Sequence, residues 1–191
     1  MQQKLVIIDM QEIFRAPDSE WAVGGYPDAA RRIQQLASAF QGHVVWTQFI
    51  RDPDEAGSWH DYYQRWAGCR LAPDAAPWRI TLNRQASDPV LALPTFSKWG
   101  TELAQLTRDC DALVVCGVAT DCCVLSTVLG AADAGKSVTV VSDACAGITP
   151  EAHQQALSLM ALLAPMVTLR TTAEVLSAAQ PSATSAGRRS A

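Results

Sequence analysis

Apolar residues in this chain come in short runs, each closed by a polar or turn-forming residue. The run Leu5–Asp9 is too short for a helix, is rich in branched side chains and stops at a carboxylate. It predicts a buried strand with Asp9 at its C-terminal end. Pro27 and Asp28 then open a helical spacing through Ile33, Leu36 and Phe40 that Gly42 ends, and His43–Phe49 follows as a second strand. From Ile50 to Asp88 the periodicity is lost, in a stretch that carries Pro53, Gly57, Gly68, Pro73 and Pro77 among five aromatic residues from Trp59 to Trp78. A segment this long without regular structure reads as a functional lid, as an oligomer contact, or as aromatic packing over a sheet edge.

Beyond it the alternation resumes. Strands are predicted at Pro89–Leu93, Ala112–Cys116, Ser137–Ser142 and Met166–Arg170. Helices are predicted at Thr101–Arg108, from the Gly117–Cys123 turn to Gly135, at Pro150–Leu163 and at Thr172–Ala178. Six apolar strands separated by helices predict a parallel sheet covered on both faces, because crossover connections place helices on each side. The expected fold is a single-domain, three-layer α/β/α sandwich over residues 1–178, followed by a flexible polar tail over 179–191.

Composition narrows the functional classes. With 191 residues, 49% hydrophobic and 18% charged, the chain fits one globular domain. A net charge of −4 and the absence of a basic stripe argue against nucleic acid as a partner. No apolar run approaches the roughly 20 residues that a membrane span requires, and the first ten residues lack a signal-peptide layout, so a cytoplasmic protein is expected. The six cysteines are expected to be free thiols, since a chain of this size can build its core without disulfides. The three histidines, His43, His60 and His153, are too dispersed for a zinc site.

In open parallel sheets, ligands bind beyond the carboxyl ends of the strands, near the point where strand order reverses. Three groups fall there: Asp9 after the first strand, Lys98 after the third, and the Gly117–Val124 segment after the fourth. Thr120 or Asp121 is placed to cap a helix whose first turn holds Cys122 and Cys123, and a helix N-terminus favours thiolate over thiol. A carboxylate, an ammonium and a thiol at neighbouring strand ends form a base, an electrostatic partner and a nucleophile. Taken singly, each also reads blandly, as a strand cap, a surface lysine and a small buried apolar residue.

These residues resemble the isochorismatase-like cysteine hydrolase superfamily over nearly the whole chain up to about Val175. The carriers are VIIDMQ at Val6–Gln11, VVWTQF at Val44–Phe49, FSKWGTEL at Phe96–Leu103, Val114–Gly135 with its GVATDCCV core, VVSDACAG at Val140–Gly147, and EAH at Glu151–His153. The resemblance implies a six-stranded parallel sheet and cleavage of a non-peptide C–N bond through a covalent thioester. It makes Cys123 the nucleophile and Asp9 its base, with the backbone N–H groups of Ala119 and Cys123 as the oxyanion hole next to a cis Val118–Ala119 peptide.

Two departures stand out. The lysine that the family pattern carries four residues before a Ser-Ala-Phe triplet would fall at Leu93, so Lys98, in the place of that alanine, is expected to supply the charge from the following loop. Nicotinamidases of the superfamily hold a metal through an Asp-x-His motif and a later histidine. Here that region offers Asp52, Asp54 and His60, so no metal or other cofactor is expected and nicotinamidase activity is disfavoured. The nucleophilic cysteine likewise disfavours vinyl-ether cleavage.

A small, planar or hydrophobic amide is the expected substrate, in a pocket drawn from Phe14, Trp21, Trp59, Tyr62, Trp66 and Trp99, with Gln11 placed to hydrogen-bond it. Each of these side chains also reads as packing. Two other readings stand beside the hydrolase. One is a binding protein of the same fold without catalysis, motivated by Leu93. The other is a redox pair at Cys122 and Cys123, which bridge-strain between adjacent residues disfavours. A homo-oligomer is expected from the resemblance.

Overall fold

The computed structural model describes residues 3–179. Six strands, β1 (Gln3–Ile8), β2 (Val44–Phe49), β3 (Val90–Leu93), β4 (Ala112–Val118), β5 (Ser137–Ala146) and β6 (Val167–Arg170), form one sheet in the order β3-β2-β1-β4-β5-β6. Every pairing is parallel. The helices are α1 (Glu12–Arg15), α2 (Tyr26–Ala39), α3 (Trp59–Arg65), α4 (Thr101–Leu106), α5 (Leu125–Asp133), α6 (Pro150–Ala161) and α7 (Thr172–Ala179).

The chain leaves β1 towards β2 on one side and later leaves β4 towards β5 on the other. Right-handed crossovers in opposite directions put their helices on opposite faces. Accordingly α2 packs with α7, while α5 packs with α6. The two central strands carry the core: Leu5, Val6, Ile7 and Ile8 are inaccessible to solvent, and every residue of β4 is buried. Strands buried on both faces must be apolar throughout, which is why both appear in the sequence as unbroken runs.

The switch of direction lies between β1 and β4, and the backbone there is unusual. Asp9 has φ +48° and Gly117 has φ +123°. A Cβ at Gly117 would lie 2.1 Å from the carbonyl oxygen of Ile8, so only glycine fits between the two strand ends.

The six expected strands are all present, with shifted ends. β4 runs on to Val118 and β5 to Ala146, beyond the expected Cys116 and Ser142. The 50–88 segment is not structureless: it contains α3 and two one-turn 3₁₀ helices, Ala67–Cys69 and Ala76–Trp78. Its helical spacing, Trp59, Tyr62, Tyr63 and Trp66, was masked by the flanking glycines and prolines. Among the described residues no helix is long and apolar enough to cross a membrane, and all six cysteines are free. The tail expected to be flexible lies outside the described residues, apart from Ala179 at the end of α7.

Candidate active site

Beyond the ends of β1, β2 and β4 the chain gathers a fully buried polar cluster in an apolar setting. The Asp9 carboxylate faces Lys98 Nζ at 3.1 Å, and both side chains have zero solvent exposure. Thr47, on β2, donates its hydroxyl to Asp9 Oδ1 at 2.6 Å and accepts from the Asp9 backbone N–H at 3.2 Å. This fixes one carboxylate oxygen. The other, Oδ2, meets Lys98 as an ion pair without hydrogen-bond alignment, so it retains an uncommitted lone pair.

Lys98 comes from the loop between β3 and α4, not from the end of β3 where Leu93 stands. Its ammonium also donates to the Thr95 carbonyl at 2.6 Å and lies 4.7 Å from the centroid of the Phe49 ring. A buried ammonium needs such surroundings, since an unpaired buried charge costs several kcal/mol, to order of magnitude. The loop is tied to the nucleophile's turn. Lys98 N–H donates to Thr127 Oγ1 at 2.8 Å, and that hydroxyl donates to the Cys123 carbonyl at 2.6 Å.

Cys123 is buried beside Asp9. Burial pushes its thiol well above the ordinary value, the Asp9 charge pushes the same way, and the Lys98 ammonium opposes them. Burial and the Asp9 charge thus work against the helix-stabilised thiolate expected from the sequence. The physical reason is local. Thr120–Val124 is a single π-helical turn and α5 begins only at Leu125, so Cys123 does not lie in the first turn of the α-helix, and burial disfavours its charged form. Neither expected cap acts as one. Thr120 Oγ1 pairs with His153 Nδ1 at 2.8 Å, and Asp121 Oδ1 accepts from Ile148 N–H at 2.9 Å. The Val118–Ala119 peptide is cis.

In front of Cys123 lies a cavity of about 280 Å³. Ala119, Cys122 and Cys123 form its floor, and Phe14, Trp21, Phe49, Tyr62, Trp66 and Phe96 form aromatic walls with Glu20, Arg65 and Asp121 among the remaining lining. Asp9, Lys98, Cys123, Ala119 and Phe14 are thus brought to one place. Three expected substrate contacts are not. Gln11 is fully buried and spends its amide on backbone, donating to the Phe49 and Trp78 carbonyls at 3.0 and 2.6 Å and accepting from Phe49 N–H at 2.8 Å. It joins β2 to the aromatic segment and has no group left for a ligand. Trp99 packs on Gly130 of α5, away from the cavity. Trp59 stands behind the wall, 4.9 Å from the Phe96 ring and 5.4 Å from Tyr62.

Thr47, Phe49, Phe96 and Thr127 were missed as site residues. Thr47 left a signal, as the lone hydroxyl of its strand, beside Gln48 at the ligand-facing end. The residues weighed as metal donors are not gathered. Asp52 and Asp54 are exposed, with Asp52 Oδ1 accepting from Asp54 N–H, and His60 Nδ1 lies 3.7 Å from Glu55 Oε2. Among the described residues no group of three or more His, Cys, Asp or Glu side chains is placed to hold a metal ion.

Residues 3–179 match the sequence profile of the Isochorismatase domain. The crystal structure of a cysteine hydrolase from Pseudomonas syringae pv. phaseolicola 1448A superposes with a TM-score of 0.81 at 26% identity, covering 93% of this chain and 92% of that one. N-carbamoylsarcosine amidase from Thermoplasma acidophilum gives a TM-score of 0.73 at 22% identity, over 90% of this chain and 97% of that one, a likeness of fold. A nicotinamidase of Escherichia coli (strain K12) is 40% identical over 76 residues, which span 39% of this chain and 36% of that protein.

Proposed function

The chain belongs to the isochorismatase family, and on that premise we propose that it is a cysteine amidohydrolase that cleaves the C–N bond of a small amide or carbamoyl compound through a thioester on Cys123. The observation that carries this reading is the buried Asp9–Lys98 pair beside a buried thiol at the floor of an aromatic cavity.

The chemistry follows from the charges. As the Cys123 sulfur attacks the carbonyl carbon, its proton passes to Asp9, whose Oδ2 has the open lone pair. The backbone N–H groups of Ala119 and Cys123, both in the cavity lining, receive the developing oxyanion. The C–N bond then breaks, Asp9 returns the proton to the leaving nitrogen, and ammonia or an amine departs. Water attacks the thioester, Asp9 takes its proton, and the acid leaves while the sulfur regains a proton from Asp9. Lys98 stabilises the negative charge in this cluster throughout, and Thr47 holds the carboxylate in orientation.

The non-catalytic reading rested on the missing lysine at position 93. The Lys98 ammonium on Asp9 supports the enzymatic reading instead. Replacement of Cys123 by Ala tests the proposal: turnover of primary amides, followed by ammonia release, is expected to fall at least about a thousandfold. Unchanged turnover in that variant would overturn it.

A further inference from the structure

The helix α3 and the residue that caps its C-terminus present three side chains to the cavity: Tyr62 and Arg65 on the helix and Trp66 just beyond it. This wall lines the same cavity as Cys123, and all three residues carry hydrogen-bond donors. Among the described residues the Tyr62 hydroxyl has no hydrogen-bond partner, although its ring is caged by Trp59 at 5.4 Å, Phe96 at 5.5 Å, Tyr63 at 5.8 Å and Trp21 at 6.0 Å. A half-buried phenol held this firmly without a partner leaves its hydrogen bond to a ligand.

Tyr62 lines the same cavity as Cys122 and Cys123. Burial chiefly, and then the neighbouring Cys122 and Cys123 sulfurs, raise the phenol far above its ordinary value, so it is present as an O–H donor. Arg65 is a donor too. Its guanidinium rests 5.0 Å from the Trp66 ring and has no carboxylate partner among the described residues. The two acids of the lining are each held by a backbone N–H, Glu20 by that of Gly68 at 2.9 Å and Asp121 by that of Ile148 at 2.9 Å.

We propose that α3 selects the acyl part of the substrate, with Tyr62 donating a hydrogen bond to an acceptor atom on a planar acyl group adjacent to the scissile carbonyl. The inference rests on the amidohydrolase reading for which bond is cut. It adds which acyl groups are chosen. The oxyanion and the leaving nitrogen are served by the floor and by Asp9, so the third substituent of the carbonyl carbon is the one that meets α3.

Benzamide and the three pyridinecarboxamides are isosteres that differ in one ring nitrogen, and they isolate this contact. Affinity is read by calorimetry in the Cys123→Ala protein, where no turnover interferes, with and without Tyr62→Phe. At least one pyridinecarboxamide is expected to bind about tenfold tighter than benzamide, and Tyr62→Phe is expected to erase that preference while leaving benzamide unchanged. A preference that survives Tyr62→Phe, no preference, equal weakening of both ligands, or no binding of either would overturn the inference. Turnover by the unmutated enzyme is read in parallel. A preference lost with Tyr62 but without turnover leaves the α3 inference standing and removes the thioester reading, whereas turnover without a preference does the reverse.

Discussion

The floor of the cavity and its aromatic wall meet around one ligand space, yet they are held by opposite means. On the floor, Asp9 and Cys123 follow the ends of adjacent central strands, and their separation is set by sheet register, in which Ile8 pairs with Gly117. Part of the wall, Tyr62 and Trp66, comes from the 50–88 segment, outside the sheet, and an ionic clasp ties that segment down. Glu55 is buried, has φ +36°, and accepts from Arg70 Nε and Nη2 at 2.9 and 2.6 Å while pairing with Arg51. Arg51 also lies 5.5 Å from the Tyr63 ring, next to Tyr62. On the proposed reading, the reacting groups are positioned by the sheet, and the α3 part of the wall by this clasp.

If that division is right, floor and wall variants should fail differently. The largest effect after loss of Cys123 is expected from Asp9→Asn. Turnover should fall by about 10²–10⁴. Burial chiefly, and then the Asp9 charge, disfavour the Cys123 thiolate, so removing that charge should speed alkylation of Cys123 by iodoacetamide at pH 8. Full turnover retained in Asp9→Asn would break the assignment of Asp9 as base. In the unmutated protein the raised thiol predicts slow labelling near pH 7 that accelerates as pH rises past 9.

Glu55→Gln should act on the wall. Hydrogen bonds from Arg70 chiefly, and then the Arg51 side chain, hold Glu55 below the usual carboxylate range. Loss of its charge is expected to raise hydrogen exchange through residues 59–69 and to weaken amide binding about tenfold. Alkylation of Cys123 should stay unchanged. An altered Cys123 rate would show that wall and floor are coupled.

The smallest effect concerns His153, which braces the Thr120 hydroxyl beside the floor. Burial lowers its pKa from 6.5 in the fold, so the unfolded chain binds the extra proton first. Its contribution to stability is full above about pH 6.5 and is lost as pH falls below that value. Thermal unfolding should occur at lower temperature at pH 5.5 than at 7.5, and His153→Gln should flatten that difference. An unchanged pH slope would exclude His153 as its source.

The same division explains what could be seen in the sequence. Strand ends are local features: an apolar run stopping at Asp9, and ALVVC running into Gly117, mark the floor within a few residues. The wall depends on contacts between residues far apart. Gln11 reaches Phe49 and Trp78, across 38 and 67 positions, and nothing near Gln11 in the sequence distinguishes that role from a ligand contact. Trp99 and Phe96 sit three residues apart on one loop, and their opposite fates follow from how the loop folds back so that Lys98 N–H reaches Thr127. Lys98 was legible only as a charge near the right strand end. Its arrival on Asp9 depends on that loop as a whole.

The central claim is that Cys123 carries the acyl group, and intact-mass spectrometry during turnover of small primary amides and N-carbamoyl compounds tests it most directly. The account predicts a transient gain equal to the acyl portion, located on Cys123, that appears with ammonia or amine and decays as acid is released. Steady turnover with no adduct at Cys123 on any timescale, or with full activity retained in Cys123→Ala, would contradict it.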